Sequence, residues 1–120
     1  MKRFIGEPLP VPLTPAVQCG SMLFLSGQVP TRPDGSIPEG IAAQTELVLQ
    51  KLGALAKEAG YDYGDIVKTT VFLRDMKDFD AVNDVYRKFF PKDPPARSCV
   101  RAEVAIAADV EIEAIAMKDQ

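Results

Sequence analysis

In the stretch Ile66-Val67-Lys68-Thr69-Thr70-Val71-Phe72-Leu73, five of the eight residues are β-branched. Such side chains pack well on a pleated surface, so the stretch predicts a β-strand. Apolar or β-branched side chains occur on both of its faces, where Val67, Thr69, Val71 and Leu73 alternate with Ile66, Thr70 and Phe72. The sheet that contains this strand therefore needs cover on both sides.

Helical periodicity flanks this strand on both sides. The segment from Gly40 to Gly60 predicts a helix, and Gly60 is a natural C-terminal stop. Its apolar residues with helical spacing are Ile41, Val48, Leu52, Leu55 and Ala59. A second helix is predicted between an N-cap at Asp78 and Pro91. Its inner side is expected to carry Phe79, Val82, Val85, Tyr86 and Phe89.

Further strands are predicted towards the two ends of the chain. Residues 22–27 read as a buried strand, and two more strands are predicted at about 98–106 and 110–117. This order is typical of an α+β domain with two helices packed on one face of a mixed β-sheet, and we expect residues 1–120 to form a single domain. Because two helices cover only one face, we expect the bare face to be buried in a homo-oligomer.

Composition excludes several classes of protein. The chain has 120 residues, 47% of them hydrophobic, with a net charge of -3 and a pI near 4.9. These values describe a globular domain and count against a large phosphate-binding surface. No run approaches the ~20 apolar residues of a membrane span, and the basic start is interrupted before a signal-peptide core can form. We therefore expect a cytoplasmic protein that binds neither membrane nor nucleic acid.

The sequence also limits the available chemistry. It contains no histidine, and its two cysteines, Cys19 and Cys99, show no metal-ligand spacing. No Walker loop, dinucleotide fingerprint or nucleophile elbow is present. We expect reduced thiols, no metal site and no cofactor.

Arg97 is the first candidate functional residue. It follows Pro94-Pro95 and shares strand parity with Cys99 and Arg101. Its planar guanidinium suits a carboxylate held by two parallel hydrogen bonds, although a surface ion pair with a nearby Asp or Glu is about equally compatible with the spacing. Cys99 could act as a nucleophile, but the chain has no histidine to serve as its base, which favours a packing role.

Glu111 and Glu113 share one face of a run that is otherwise aliphatic. A single glutamate acting as base towards a water is the simplest role for such a group, and an exposed strand face is the alternative. Asn83 lies in the middle of a helix, where Asn is a poor helix former, so a hydrogen-bonding duty and a solvent-facing position are both open. Ser26-Gly27, at a strand end, offers a hydroxyl and close backbone approach to a ligand.

The spacing of these residues carries a prediction about assembly. If the last two strands form an antiparallel hairpin around residue 108, Arg97 lies opposite about residue 119. It is then on the order of 26 Å from Glu111. One chain could not grip a small molecule with both residues, whereas Arg97 of a neighbouring subunit could reach this chain's Glu111. The hypothesis is a site shared between subunits.

Several motifs together resemble those of the RidA family (YjgF/YER057c/UK114). The resemblance runs from about residue 14 to 117, with the motifs in the order Ser26-Gly27-Gln28-Val29-Pro30, Gly64 to Leu73, Val82-Asn83-Asp84-Val85-Tyr86, Pro95-Ala96-Arg97-Ser98-Cys99-Val100 and Val110 to Ala116. It implies a chorismate-mutase-like α+β fold and a homotrimer with sites in the clefts between subunits. It also implies a cofactor-independent 2-iminobutanoate/2-iminopropanoate deaminase, which hydrolyses reactive imino or enamine acids to 2-keto acids and ammonia.

The resemblance assigns roles to the candidate residues. Arg97 would clamp the substrate carboxylate, Glu111 would activate the attacking water, and Cys99 would contribute through its backbone. The pocket would be lined by Ser26, Gly27 and Asn83. One position departs from the family pattern, because the usual Pro-Tyr-Xaa-Gln appears here as Pro15-Ala16-Val17-Gln18, without the pocket tyrosine.

Two other functions remain open at the level of sequence. A non-catalytic binding or regulatory protein could use the same cleft for a 2-keto acid, and the missing tyrosine gives this reading some weight. Ribonuclease or translation-inhibitor activity is also associated with the family. The acidic pI and the lack of histidine make that reading the least attractive.

Overall fold

The computed structural model describes residues 1–118 as one six-stranded mixed sheet and two α-helices, which confirms the α+β prediction. The elements in chain order are β1 (Lys2–Ile5), β2 (Ala16–Cys19), β3 (Met22–Gln28), α1 (Ile41–Glu58), β4 (Ile66–Leu73), α2 (Phe79–Phe89), β5 (Ala96–Arg101) and β6 (Val110–Met117). Two 3₁₀ turns precede β4 and α2, at Tyr63–Asp65 and Met76–Asp78. The strands lie in the order β1-β2-β3-β6-β4-β5.

Both helices form where their periodicity predicts them. Helix α1 ends just before Gly60, whose φ of 88° is a left-handed conformation that glycine adopts without a steric penalty. Asp78 holds the N-cap position of α2, but its side chain makes no capping hydrogen bond. Asp75 instead accepts a bond from the Lys77 N–H in the 3₁₀ turn before the helix. No helix within residues 1–118 is long and apolar enough to span a bilayer.

The two faces of the sheet differ in burial. One face, here called the covered face, packs against both helices and includes Thr69 and Val71 of β4 and Ile112 and Ala114 of β6. Alternation along β6 sends Glu111, Glu113 and the other intervening side chains to the opposite side, here called the open face. Several exposed apolar side chains lie on strands, namely Phe4, Phe24, Val67, Val100 and Met117.

The prediction that side chains alternate between the two faces along the whole of β4 is wrong at the first residues of the strand. The pairing of β4 with β6 shifts register between Ile66 and Lys68, so an extra residue is accommodated at Val67. A β-bulge of this kind moves Ile66 to the same side as Thr69. Ile66 is accordingly buried, while Val67 is exposed.

The predicted hairpin of the last two strands is also wrong. Strand β5 pairs in parallel with β4, and β6 inserts between β3 and β4, antiparallel to both. Helix α2 supplies the crossover that a parallel β4–β5 pair requires. Residue 119, which the hairpin would have placed opposite Arg97, lies outside the described residues. The strand predicted at 98–106 ends earlier, at Arg101.

The chain between β5 and β6 is an irregular loop fixed by one arginine. The Arg74 guanidinium donates hydrogen bonds to the carbonyls of Val104, Ile106 and Ala108. It also forms an ion pair with Asp109, with 3.7 Å between Nε and Oδ1. The Gln44 amide accepts a bond from the Asp109 N–H, which ties the start of β6 to α1. These bonds fix the point at which β6 enters the sheet.

Candidate active site

Arg97 lies near the start of β5, in register with Thr69 of β4. Its guanidinium carbon is 4.9 Å from the centre of the Tyr86 ring and 5.5 Å from that of Phe79. Both distances fall within the ~6 Å range of cation–π contacts. Among residues 1–118 no carboxylate forms an ion pair with Arg97. The alternative of an ion pair within the chain is therefore not observed there, and the guanidinium can bind an external anion.

Arg97 and Asn83 line the same cleft. The cleft has a volume of about 260 Å³ and is lined by Asn83, Tyr86, Arg87, Phe90, Pro94, Pro95 and Arg97. Arg87 forms an ion pair with Asp84, at 3.1 Å, so its charge is already partnered. Asn83 and Arg97 can together offer N–H donors and an amide oxygen to a small polar molecule.

Cys99 also lies on β5, opposite Val71, and its side chain packs partly against the core. Burial raises the pKa of the Cys99 thiol, and the charge of Arg97 opposes that shift only in part. The thiol is therefore protonated near neutral pH, which favours the packing role over a nucleophile. Within residues 1–118, no three His, Cys, Asp or Glu side chains are grouped so that they could hold a metal ion.

Glu111 lies on the open face of β6, partly buried and opposite Phe72. Burial, and secondarily the charge of Glu113, raises the pKa of the Glu111 carboxyl above its usual value. A carboxylate with a raised pKa is a stronger base. A Cβ on residue 27 would overlap the Glu111 carboxylate. Because Gly27 has no side chain, the Glu111 side chain can lie directly against the β3 backbone.

Ser26 forms hydrogen bonds with other residues of its own chain. Its hydroxyl donates a 2.7 Å hydrogen bond to the Thr14 carbonyl, and its N–H donates to the Pro15 carbonyl at 2.9 Å. These bonds fasten the proline-rich segment 8–15 to the end of β3. Ser26 also lines a second cavity, of about 250 Å³, together with Lys68 and Glu113. Of the residues predicted to form one pocket, Asn83 and Arg97 therefore line one cavity and Ser26 the other, and the rest line neither of these two cavities.

The described chain does not bring Arg97 and Glu111 together. Arg97 is in register with Thr69, and Thr69 with Ala114, so Glu111 lies two strands away and three residues along. Strand spacings place the two Cα atoms about 14 Å apart, and an offset of three residues puts the side chains on opposite faces of the sheet. The distance of about 26 Å predicted from a hairpin is wrong. Arg97 and Glu111 are nevertheless separated, because they lie on opposite faces of the sheet.

Sequence patterns do not identify the aromatic groups around Arg97 as part of a site. They predict only that Phe79 and Tyr86 lie on the inner side of a helix and that Thr69 lies in a strand. In the structure the Tyr86 and Thr69 hydroxyls share a buried hydrogen bond of 2.7 Å. The i, i+4 and i+7 spacing of Phe79, Asn83 and Tyr86 is a signal that could have placed all three side by side.

Ala16 is the residue at which the sequence resemblance predicts a pocket tyrosine. It lies on β2, in register with Ile5 and Leu25, and is fully buried. Its methyl group fills a place in the core, and it lines neither of the two cavities described above.

The chain is similar to a bacterial deaminase over nearly its whole length. The 2-iminobutanoate/2-iminopropanoate deaminase of Escherichia coli K12 is 42% identical over 125 aligned residues, covering 98% of each protein. Among solved structures, TM0215 of Thermotoga maritima MSB8 has a TM-score of 0.94 at 39% identity, covering 100% of both chains. Escherichia coli TdcF with bound serine has a TM-score of 0.92 at 37% identity, covering 98% of this chain and 99% of that one.

A family match agrees with these relatives. The family described as Endoribonuclease L-PSP matches residues 8–118, which includes every candidate site residue discussed above. Sequence identity over the full length and the shared fold point in the same direction. The chain therefore belongs to the Endoribonuclease L-PSP family, also known as the RidA/YjgF family.

Proposed function

We propose that this protein hydrolyses reactive 2-imino and enamine acids, such as 2-iminobutanoate and 2-iminopropanoate, to 2-keto acids and ammonia. The observation that carries the proposal is the Arg97 guanidinium, held over two aromatic rings without an ion-pair partner in the described chain. The similarity to the Escherichia coli deaminase supports the reaction. The serine bound to TdcF supports the substrate class, since serine carries a carboxylate next to a nitrogen-bearing carbon.

Arg97 is the proposed carboxylate clamp. A planar guanidinium can donate two parallel hydrogen bonds to a carboxylate, which fixes the position of the adjacent C2 atom as well as binding the charge. Asn83 lines the same cleft and can orient the imine nitrogen. The cleft therefore suits a small molecule with an anionic end and a polar nitrogen.

Glu111 is the proposed base. It takes one proton from a water molecule while the water oxygen bonds to C2 and the C=N π electrons move to the nitrogen, which then receives that proton to give a carbinolamine. Glu111 next takes the proton of the new hydroxyl and passes it to the nitrogen, so that the C–N bond breaks, ammonia leaves and C2 becomes the keto carbon. Imines hydrolyse in water unaided, so positioning the reactants and moving these two protons are sufficient tasks for the protein. The raised pKa of Glu111 suits it to both halves of this transfer.

We also propose that the site is completed between subunits of a homotrimer. Arg97 and Glu111 of one chain lie on opposite faces of its sheet, so a single substrate could contact both only if they come from different copies. The open face carries exposed apolar side chains, Phe24 among them, that a second copy would cover. Assembly and catalysis are then one property of the protein.

The test is to generate 2-iminobutanoate in situ and to follow its disappearance with and without the protein. We expect acceleration by the wild type, none by Arg97→Ala, and a strong reduction in Glu111→Ala. Arg101→Ala is the matched control, because Arg101 lies on the same strand and face but lines a different cavity. Equal rates with and without the wild type would contradict a deaminase.

One alternative is favoured by a specific observation. Ala16 supplies no pocket hydroxyl where the family pattern has a tyrosine, so a protein that binds a 2-keto acid without turnover is the second candidate. Binding of 2-oxobutanoate by a wild type that leaves the imine untouched would identify it. RNA cleavage, suggested by the family's description, is disfavoured by a net charge of -3 and the absence of histidine.

A further inference from the structure

We propose that Tyr86, assisted by Phe79, is a positioning residue that holds the Arg97 guanidinium in its carboxylate-binding orientation before the substrate arrives. This inference rests on the proposed function, since it concerns the same clamp. It extends that function by assigning a role to two aromatic residues that the proposed reaction does not otherwise use. The two rings are called the aromatic platform below.

The aromatic platform contacts Arg97 from α2. The guanidinium carbon lies over the Tyr86 ring at 4.9 Å and over the Phe79 ring at 5.5 Å. Contact through ring faces leaves the N–H groups of the guanidinium available, and these are the groups that a carboxylate needs. The platform can therefore fix the cation without occupying its hydrogen-bond donors.

Tyr86 is itself fixed from two sides. Its hydroxyl shares a 2.7 Å hydrogen bond with the Thr69 hydroxyl, and both residues are buried. Its ring also packs against the buried ring of Phe90, with 4.7 Å between the ring centres. The position of the platform is thus set by the sheet and the core rather than by Arg97.

The location of Arg97 explains why such a support matters. Strand β5 lies at the edge of the sheet, and none of its residues is fully buried. A long side chain on an edge strand samples many rotamers unless something restrains it, and each immobilised side chain costs binding free energy when a ligand orders it. A preformed platform removes much of that cost before binding.

The test measures the affinity for 2-oxobutanoate, which carries the same carboxylate as the substrate and requires no turnover. Tyr86→Leu removes the larger contact, and we expect the Kd to rise about 3- to 10-fold. Tyr86→Phe keeps the ring and loses only the bond to Thr69, so we expect at most about a twofold rise. Phe79→Leu changes a partly exposed ring and remains informative if Tyr86→Leu fails to fold. We expect its Kd to rise two- to threefold.

A second readout separates positioning from a general loss of stability. In the nitrogen NMR spectrum of the wild type, the Arg97 Nε–H signal should be that of a side chain with restrained motion. Its chemical shift should be displaced by the aromatic ring current. We expect Tyr86→Leu to abolish both features, and Tyr86→Phe to keep them. Phe89→Leu is the matched control, because Phe89 lies on the same helix but packs against Tyr63. It should lower the melting temperature and leave the Kd and the Arg97 signal unchanged.

The outcomes distinguish this inference from the proposed reaction. If Tyr86→Leu and Phe79→Leu leave both the Kd and the Arg97 signal unchanged while the wild type deaminates imines, the platform is wrong and the reaction stands. If the wild type binds 2-oxobutanoate with a platform-dependent Kd but does not deaminate, the reaction is wrong and the platform stands. If the wild type does not bind 2-oxobutanoate, the clamp and the platform are both overturned.

Discussion

The surroundings of Arg97 and of Glu111 differ in almost every physical respect. Arg97 lies on an edge strand, over aromatic rings of α2, with no ion-pair partner among residues 1–118. Glu111 lies on a central strand, on the open face, against the backbone of Gly27. The first environment orients a cation and leaves its donors free, whereas the second raises the pKa of a carboxyl. In the proposed function, the first region binds the carboxylate and the second moves protons.

The contrast is informative because the two regions are separated by the sheet itself. A binding group and a base are useful only when both reach one substrate. In the single chain they lie on opposite faces, about 14 Å apart between Cα atoms. Under the proposed function, the single chain carries both halves of a site without joining them, and the proposed homotrimer is what would bring them together.

The largest expected effect comes from mixing an inactive variant with a strongly impaired one. Arg97→Ala retains Glu111, and Glu111→Ala retains Arg97. If each site takes one residue from each of two subunits, random mixed oligomers from a 1:1 mixture unfolded and refolded together contain about a quarter of intact sites. We expect about a quarter of the wild-type rate of imine loss. A mixture as inactive as its components would show that the two residues do not meet across subunits.

Gly27→Ala should disturb one region and spare the other. The added Cβ overlaps the Glu111 carboxylate, and a displaced catalytic group can cost about 100-fold in rate. We expect kcat to fall by ~10- to 100-fold while the Kd for 2-oxobutanoate changes little. Gly64→Ala is the control, because a Cβ there meets no atom within 4 Å. An equal loss of affinity in Gly27→Ala would mean that the two regions are not functionally separable.

Phe24→Ser tests whether the open face is covered by another copy. Phe24 lies on β3 opposite Ile115 and is 43% exposed in the single chain. If it is buried in an interface, we expect its removal to weaken association at least ~10-fold, measured by sedimentation over a range of concentrations. Ile106→Asn, which changes an exposed apolar residue outside the sheet, should not. A wild type that sediments as a monomer would contradict the shared site.

The smallest effect concerns the pH profile of the Glu111 region. Glu111 must be ionised to act as a base, so activity falls as the pH drops through its raised pKa. The charge of Glu113 contributes to raising that pKa. In Glu113→Gln we expect the acid limb of kcat to move to lower pH, with the plateau nearly unchanged. An acid limb that stays in place or moves to higher pH would show that Glu113 does not act on Glu111.

The elements themselves were largely predictable from sequence. Strand β4, both helices and the stop at Gly60 follow from local preferences that act within a few residues. The neighbours of the strands were not predictable in the same way. The residue pattern of the two strands is nevertheless a signal against the hairpin. Every second residue of β6 is apolar, which suits a central strand, whereas the charged side chains of Arg97 and Arg101 suit β5 to an edge position.

The sequence by itself determined the groups available for chemistry and the elements that carry them. Arg97, Glu111 and Asn83 stand out in the sequence as candidates because a charge or amide inside a regular element is costly unless it is used. Tertiary structure alone decided that β6 separates β3 from β4, that Tyr86 and Thr69 meet behind Arg97, and that Gly27 makes room for Glu111. These relations join residues far apart in the chain, and they arise only when the helices and strands pack together and bury their apolar faces.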